Sequence, residues 1–177
     1  MPVCSFKNKI PVIGKGTWIA PNAYVIGDVR IGRDCFIGFG ATIRADFGTI
    51  IIGNASAVEE GVVIHGPGLT EIGNSVILGH LAMVHASIVR DFALIGMQAL
   101  ITDNSLVEEW AIVAEKSHVR KKQVIPSGTI FGGIPAEEVG KVTQRHRDLL
   151  ALGQQAYKDL AAQYTETYRE IEWIPSP

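Results

Sequence analysis

Aliphatic residues recur at a spacing of six along most of the chain. One series ends at position 43, two shorter series cover positions 52–64 and 72–84, and the longest runs through eight repeats from position 89 to 131. The twenty positions are Ile13, Ile19, Val25, Ile31, Ile37, Ile43, Ile52, Val58, Ile64, Ile72, Leu78, Val84, Val89, Ile95, Ile101, Val107, Val113, Val119, Ile125 and Phe131. A helix repeats every 3.6 residues and a half-buried strand every two, so neither maintains a period of six.

This period predicts a solenoid in which each hexapeptide is a short strand and a turn with one inward aliphatic side chain. Three hexapeptides make a triangular coil, and successive coils pair as parallel strands about 4.8 Å apart. Twenty repeats predict between six and seven coils, and the irregular gaps predict loops at residues 44–51 and 65–71. We therefore expect an all-β fold, a parallel β-helix.

The pattern changes from Pro135 onwards. Apolar residues then recur at spacings of three, four and seven, which predicts an amphipathic helix whose apolar stripe packs on the β-helix or on a neighbour. We divide the chain into a β-helix domain, residues 1–141, and a C-terminal helix and tail, residues 142–177. Gly153 is the weak point of the helix because glycine is a poor helix former.

Composition limits which classes of binding partner and which cellular compartment are expected for this protein. The net charge is −2 and no run of Lys and Arg offers phosphates a footprint, which argues against nucleic acid. The N-terminus lacks a signal-peptide pattern, and no uncharged apolar run approaches the length of about 18 residues that spans a bilayer. Two cysteines do not make a disulfide framework. We expect a cytoplasmic protein without a membrane partner.

Three of the five histidines, His65, His80 and His85, fall within 21 residues. His65 and His85 each follow a core position directly, and these core positions lie three repeats apart, which is one full coil. The two histidines should therefore stack on one corner of adjacent coils, about 5 Å apart at the backbone. That separation suits two ligands of one tetrahedral zinc ion.

His80 lies two residues after Leu78, on the preceding side of the coil, and should point away from the pair. A neighbouring subunit in a cyclic trimer could supply an equivalent His80 and complete a three-histidine site at each interface. The alternative is that all three are ordinary surface histidines, which is the interpretation we adopt for His118 and His146.

Other polar residues extend the same columns. Arg44 lies one coil before His65, and Arg44 with Asp46 predicts an ion pair at the interface, although an exposed surface pair fits the spacing nearly as well. Glu59 lies one coil from the His80 repeat and could relay a proton or orient a ligand. Glu60 beside it is expected to be solvated.

Several segments resemble those of the γ-class carbonic anhydrases and related bacterial hexapeptide-repeat proteins. The match runs from about Pro11 to Val142, and the Gly-His-x4-His pattern after an earlier histidine is its most specific part. Within the family, the chain is most similar to the subgroup encoded with phenylacetate-degradation genes. The segments are Val25–Val29, Ile43–Gly48, Val63–His65, Leu78–His85, Leu94–Met97 and Gly132–Ala136.

The resemblance implies a left-handed β-helix and a homotrimer with zinc or iron bound by His65 and His85 of one chain and His80 of the next. Arg44 and Asp46 match the family's interface pair. At two positions the chain differs from the family: Ala57 and Glu59 stand where active relatives carry asparagine and glutamine. The long acidic loop associated with proton transfer has no counterpart.

The leading hypothesis is a metal-dependent enzyme that reversibly hydrates carbon dioxide to bicarbonate, with Arg44, Asp46 and Glu59 as candidate catalytic residues. Metal coordination would lower the pKa of bound water toward about 7. One alternative is hydrolysis or transfer of the acyl group of an acyl-CoA, which rests on analogy with other hexapeptide proteins. Another is a catalytically weak, zinc-binding trimeric scaffold, which the altered residues Ala57 and Glu59 favour.

Overall fold

The computed structural model of the chain describes residues 3–172, which form twenty strands and one helix. The elements are β1 Val3–Cys4, β2 Val12–Ile13, β3 Trp18–Ile19, β4 Tyr24–Ile31, β5 Phe36–Ile37, β6 Thr42–Ile52, β7 Ala57–Val58, β8 Val63–His65, β9 Gly68–Ile72, β10 Ile77–Leu78, β11 Met83–His85, β12 Ile88–Val89, β13 Leu94–Ile95, β14 Leu100–Ile101, β15 Leu106–Val107, β16 Ile112–Val113, β17 His118–Val119, β18 Val124–Ile125, β19 Thr129–Gly132, β20 Glu137–Lys141 and α1 Gln144–Thr167.

The strands wind into a parallel β-helix. Each strand from β7 to β16 pairs in parallel with the strand three places further along the chain, so three strands complete one coil. About seven coils stack in this way, followed by the C-terminal helix. The predicted all-β fold of hexapeptide repeats is confirmed. At the C-terminal end of the β-helix, β20 pairs with β19 in the antiparallel direction.

The core is the stack of inward aliphatic side chains that the six-residue spacing predicts. Every predicted core position is buried except the first and the last, Ile13 and Phe131, which are partly buried. Coils at the two ends have a neighbour on one side only, which explains the exception. Because no single repeat can bury its own aliphatic side chain, the stack between coils supplies the hydrophobic stabilisation.

The irregular gaps in the repeat are mostly strands, and the prediction of loops at residues 44–51 and 65–71 is wrong. β6 continues through the first gap, and β9 pairs with its second half from Gly48↔Gly68 to Ile52↔Ile72. Gly48 is required there because a Cβ at this position would clash with the carbonyl oxygen of Gly68. Hydrogen bonds between β6 and β9 satisfy backbone N–H and C=O groups that two loops would have left exposed to solvent.

The helix α1 starts with a capping box and packs on the face formed by β3, β5 and β7. Thr143 and His146 exchange hydrogen bonds at its N-terminus, so His146, expected on the surface, has a capping role. Tyr164 stacks on Trp18 with 4.3 Å between ring centroids. Gly153 allows close approach, because a Cβ there would lie 3.3 Å from Ile77 Cδ1. Within the described residues, no helix is long and apolar enough to cross a membrane.

The helix is therefore held to the β-helix by an aromatic cluster, formed by Trp18, Phe36, Phe39, Tyr157, Tyr164 and Tyr168. This cluster anchors the C-terminal half of α1 on the β-helix. The proposed boundary between residues 1–141 and 142–177 remains a prediction, and residues 173–177 of its second part lie outside the described residues.

Ile37→Ala should lower the free energy of unfolding by about 2–5 kcal/mol, because Ile37 is fully buried in the stack and its truncation leaves a cavity. Ile10→Ala is the matched control, since Ile10 is 72% exposed, and it should change stability by less than about 0.5 kcal/mol. Urea unfolding of both variants measures the difference. Equal destabilisation would contradict the assignment of the core.

Candidate metal centre

His65 and His85 lie side by side on one corner of the β-helix. They end strands β8 and β11, whose parallel pairing places His85 directly opposite His65. Side chains alternate along a strand, so the inward Ile64 and Val84 turn the following histidines outward. The two imidazole rings lie 5.5 Å apart between centroids and are tilted by 53°. The stacking of the two histidines is as the repeat predicts.

The distance between the rings suits a shared metal ion. With Zn–N bonds of about 2 Å and a tetrahedral angle, two imidazole centroids lie about 5 Å apart. The observed 5.5 Å is close to that value. Imidazole nitrogens are also donors that zinc and iron accept. The pair therefore fits half of a tetrahedral metal site.

Asp46 and Arg44 lie against His65. Asp46 Oδ1 lies 2.9 Å from His65 Nε2, and Asp46 Oδ2 forms an ion pair with Arg44 within the same chain. Desolvation raises the pKa of Asp46, but the hydrogen bond to His65, a backbone N–H and the positive charge of Arg44 outweigh it, and the net shift is downward. Asp46 therefore remains a carboxylate near neutral pH and can accept the His65 N–H.

His80 lies on a different corner and is held by two carboxylates of the previous coil. Its Nε2 lies 3.1 Å from Glu59 Oε2 and its Nδ1 lies 2.8 Å from Glu60 Oε2. The backbone N–H of His80 also donates to Glu59 Oε2 at 2.9 Å. Glu60 keeps the solvent exposure expected of it, 41% of its side chain, and also contacts His80.

The three histidines do not converge within one chain. Across residues 3–172, no group of three or more His, Cys, Asp or Glu side chains is arranged to hold a metal ion. His65 and His85 share a corner, whereas His80 belongs to the preceding one. A three-histidine site therefore needs a His80 from another chain.

Glu59 is a buried carboxylate with a second partner that the sequence does not reveal. It is 6% exposed, and Tyr157 of α1 lines the same groove. Burial, then the neighbouring Glu59 carboxylate and the charge of Glu60, raise the pKa of Tyr157 far above its ordinary value. The only sequence signal for Tyr157 is the spacing of the helix, which does not identify the strand that the helix covers.

Ala57 lies on the outer side of β7 beneath the helix and is 1% exposed. It pairs with Phe36 and Ile77, which also point toward α1. Ala57, which the resemblance matches with an asparagine of active relatives, is therefore covered by the helix in this chain. Glu59, two residues later, is the altered position that reaches His80.

Two depressions adjoin Glu59. One, of about 270 Å³, lies beside His80 and is lined also by Gly79, Met97 and Glu115. The other, of about 380 Å³, is an apolar groove between α1 and the β-helix. The lining residues of the groove include Ile77, Leu94, Ile112, Leu149 and Tyr157. Glu59 thus lies between the apolar groove and the corner of the β-helix that carries His80.

Asp103 is a further polar residue that the sequence reasoning missed. Its Oδ1 lies 3.1 Å from His85 Nδ1. Its position in the repeat could have revealed it. Ile101 is the core residue one coil after Val84, so Thr102 and Asp103, which follow Ile101, lie one coil after His85. His118, in contrast, lies on β17. We assign His118 no role in the centre.

Fold and site together define a hexapeptide-repeat β-helix with a candidate metal centre. The family model described as bacterial transferase hexapeptide (six repeats) matches residues 10–45. "Gamma carbonic anhydrase 2, mitochondrial" of Arabidopsis thaliana is 33% identical over 177 residues, which cover 93% of this chain and 64% of that protein. "Carnitine operon protein CaiE" of Salmonella agona is 31% identical over 163 residues, which cover 91% of this chain and 82% of that protein.

A crystal structure of a hexapeptide transferase family protein from Anaplasma phagocytophilum is 28% identical, with a TM-score of 0.89, and covers 92% of this chain and 98% of that chain. The chain belongs to the family of hexapeptide-repeat proteins that includes CaiE, and it is similar to the γ-class carbonic anhydrases. It spans 64% of the length of the Arabidopsis relative, so that protein's activity comes to this chain only as a proposal. Membership of the phenylacetate-degradation subgroup stays a prediction.

Tyr157 should keep its proton as the pH rises through about 10, where an ordinary tyrosine ionises. The raised pKa means that the fold favours the neutral phenol, so this stabilising contribution is present below pH 10 and is lost as the pH rises through the folded-state pKa. The ionisation of Tyr157 is measured as the difference between the phenolate absorbance titrations of wild type and Tyr157→Phe. Tyr24→Phe is the control, because Tyr24 is 50% exposed. Loss of an ordinary titration step in Tyr157→Phe would contradict the burial of Tyr157 against Glu59.

Proposed function

We propose that this protein is a metal-dependent, carbonic anhydrase-like enzyme that reversibly hydrates carbon dioxide to bicarbonate. The observation that carries the proposal is the His65–His85 pair, with ring centroids 5.5 Å apart and a carboxylate against one nitrogen of each ring. The kinship with γ-class carbonic anhydrases supports the same reaction.

The proposed assembly is a homotrimer. His65 and His85 of one chain and His80 of the next would hold zinc or iron, with one position left for the substrate. To bind the ion, His80 would have to release Glu59 or Glu60, which lie against its two ring nitrogens. A bound divalent ion supplies Lewis acidity that makes hydroxide available at neutral pH. The separation of His80 from its own chain's pair supports a site shared between chains. A cytoplasmic location belongs to the same proposal, supported by the free thiols of Cys4 and Cys35.

Arg44, Asp46 and Glu59 have distinct roles in this proposal. Asp46 accepts the His65 N–H and fixes the orientation of that ring. Arg44 holds Asp46 through their ion pair. Glu59 is buried and contacts His80, so its Oε2 can accept a proton released beside the histidines. Glutamine at this position could not take up that proton.

Stopped-flow measurement of carbon dioxide hydration tests the reaction. Protein loaded with zinc, or with ferrous iron under anaerobic conditions, should hydrate carbon dioxide above the buffer rate. Metal-stripped protein should not. A hydration rate equal to that of buffer with both metals would contradict the proposed activity. Retention of bound metal without turnover would favour the zinc-binding scaffold.

Glu59→Ala should lower the metal-dependent rate by about 100-fold, because it removes the proposed proton acceptor. Glu71→Ala is the matched control: Glu71 is a carboxylate on another face, paired with Arg90, and its loss should leave the rate unchanged. The same stopped-flow assay compares the variants. An undiminished rate in Glu59→Ala would exclude Glu59 as the proton acceptor.

Wild-type protein should bind about one zinc ion per chain as a trimer, since each interface holds one site. His80→Ala should lose this zinc and remain trimeric, because one of three ligands is absent while the fold is intact. His118→Ala controls for loss of a histidine outside the centre. Metal analysis of gel-filtered protein gives the ratio, and unchanged zinc in His80→Ala would refute the shared site.

A second candidate function is hydrolysis or transfer of an acyl group from coenzyme A. The apolar groove of about 380 Å³ that ends at Glu59 favours it, because an aliphatic acyl chain fits a surface of this chemistry. The structural likeness to a hexapeptide transferase family protein points the same way. A panel of acyl-CoA substrates with a free-thiol assay distinguishes this activity from carbon dioxide hydration.

A further inference from the structure

We propose that Asp103 is a positioning residue, one that holds the His85 imidazole through Nδ1 and leaves Nε2 as the nitrogen that would bind the metal. The inference rests on the proposed metal-dependent function and adds a residue to it. Asp103 Oδ1 lies 3.1 Å from His85 Nδ1. A carboxylate can only accept a hydrogen bond, so His85 donates its Nδ1–H and keeps its lone pair on Nε2.

The backbone holds Asp103 in place for this role. Its carbonyl oxygen accepts the Lys122 N–H at 2.9 Å from the following coil. The next residue, Asn104, donates its N–H to Ala86 O of the preceding coil at 2.7 Å. Thr102, on the other side, accepts a hydrogen bond from Ser87 Oγ at 2.9 Å. Asp103 is thus fixed between two coils, and its side chain meets a ring whose own strand is equally fixed.

Asp103 and Asp46 bracket the histidine pair. Asp46 precedes it by one coil and binds Nε2 of His65, while Asp103 follows it by one coil and binds Nδ1 of His85. Each carboxylate therefore engages one nitrogen of its ring and leaves the other without a hydrogen bond to the described part of the chain. A carboxylate that accepts the remaining N–H of a metal-bound histidine fixes its tautomer and raises its basicity.

A simple surface ion pair is the competing explanation, since the side chains of His85 and Asp103 are 27% and 37% exposed. The two explanations differ in what they predict. Exposed pairs contribute little to stability, so both explanations expect Asp103→Ala to leave the metal-free protein nearly as stable as wild type. The positioning role alone predicts a loss of metal affinity, by about 10–100-fold.

The experiment compares zinc affinity in the full-length wild type, Asp103→Ala, Asp103→Asn and the control Glu71→Ala. Glu71 is a carboxylate of similar exposure, 32%, and pairs with Arg90 at 2.8 Å on another face. Competition with a chromophoric chelator at one fixed pH gives each dissociation constant. The visible absorption of the cobalt-substituted protein reports the geometry of the ligands, and thermal unfolding without metal controls for the fold.

We expect Asp103→Ala to bind zinc about 10–100-fold more weakly and to change the cobalt spectrum. Asp103→Asn should lie between Asp103→Ala and wild type, because an amide oxygen accepts the Nδ1–H but carries no charge. Glu71→Ala should match wild type. Wild-type affinity in Asp103→Ala and Asp103→Asn would overturn the role of Asp103 and leave the metal site standing. Absence of zinc binding by wild type itself would overturn both this inference and the proposed function.

Discussion

Parallel hydrogen bonding between successive coils places each residue directly over its counterpart one coil earlier, and this register carries the rest of the structure. Ile64 lies over Ile43 and Val84 lies over Ile64, so the core is continuous. The same register aligns the outward residues that follow, Arg44, His65 and His85. Stability and the candidate centre therefore depend on one geometric relation. A one-residue shift of any coil would turn its core residue outward and separate the two histidines.

The rigidity of the stack also explains why one chain is insufficient for the proposed site. His80 is anchored to the previous coil by its backbone N–H and by Glu59 and Glu60. Its strand neighbours are fixed in the core, so the imidazole cannot move to the corner that holds His65 and His85. The proposed site takes its third ligand from a second chain. Glu59 lies beside three features, His80, Tyr157 of α1 and the apolar groove.

Much of this arrangement could be predicted from the sequence, because it follows from the six-residue spacing of the aliphatic residues. The position of each core residue and the stacking of His65 on His85 depend only on the period of six. The paired excursions of β6 and β9 could not be predicted in this way, since two gaps of unequal length do not show that their backbones meet. The contact between Tyr157 and Glu59 depends on where α1 docks, which an amphipathic pattern leaves open. The six-residue period also gives the position of Asp103, one coil after His85. Its own repeat contains no histidine, so nothing in the sequence marked it as part of the site.

Complementation between two inactive chains tests the shared site most directly. Chains with His80→Ala retain the pair, and chains with His65→Ala and His85→Ala retain only the third ligand. Neither alone should hold zinc, whereas an equal mixture refolded together should recover it at about one quarter of the interfaces, those where a chain of the first kind faces one of the second. Zinc content in the mixture no higher than in the separate variants would contradict a metal centre built from two chains.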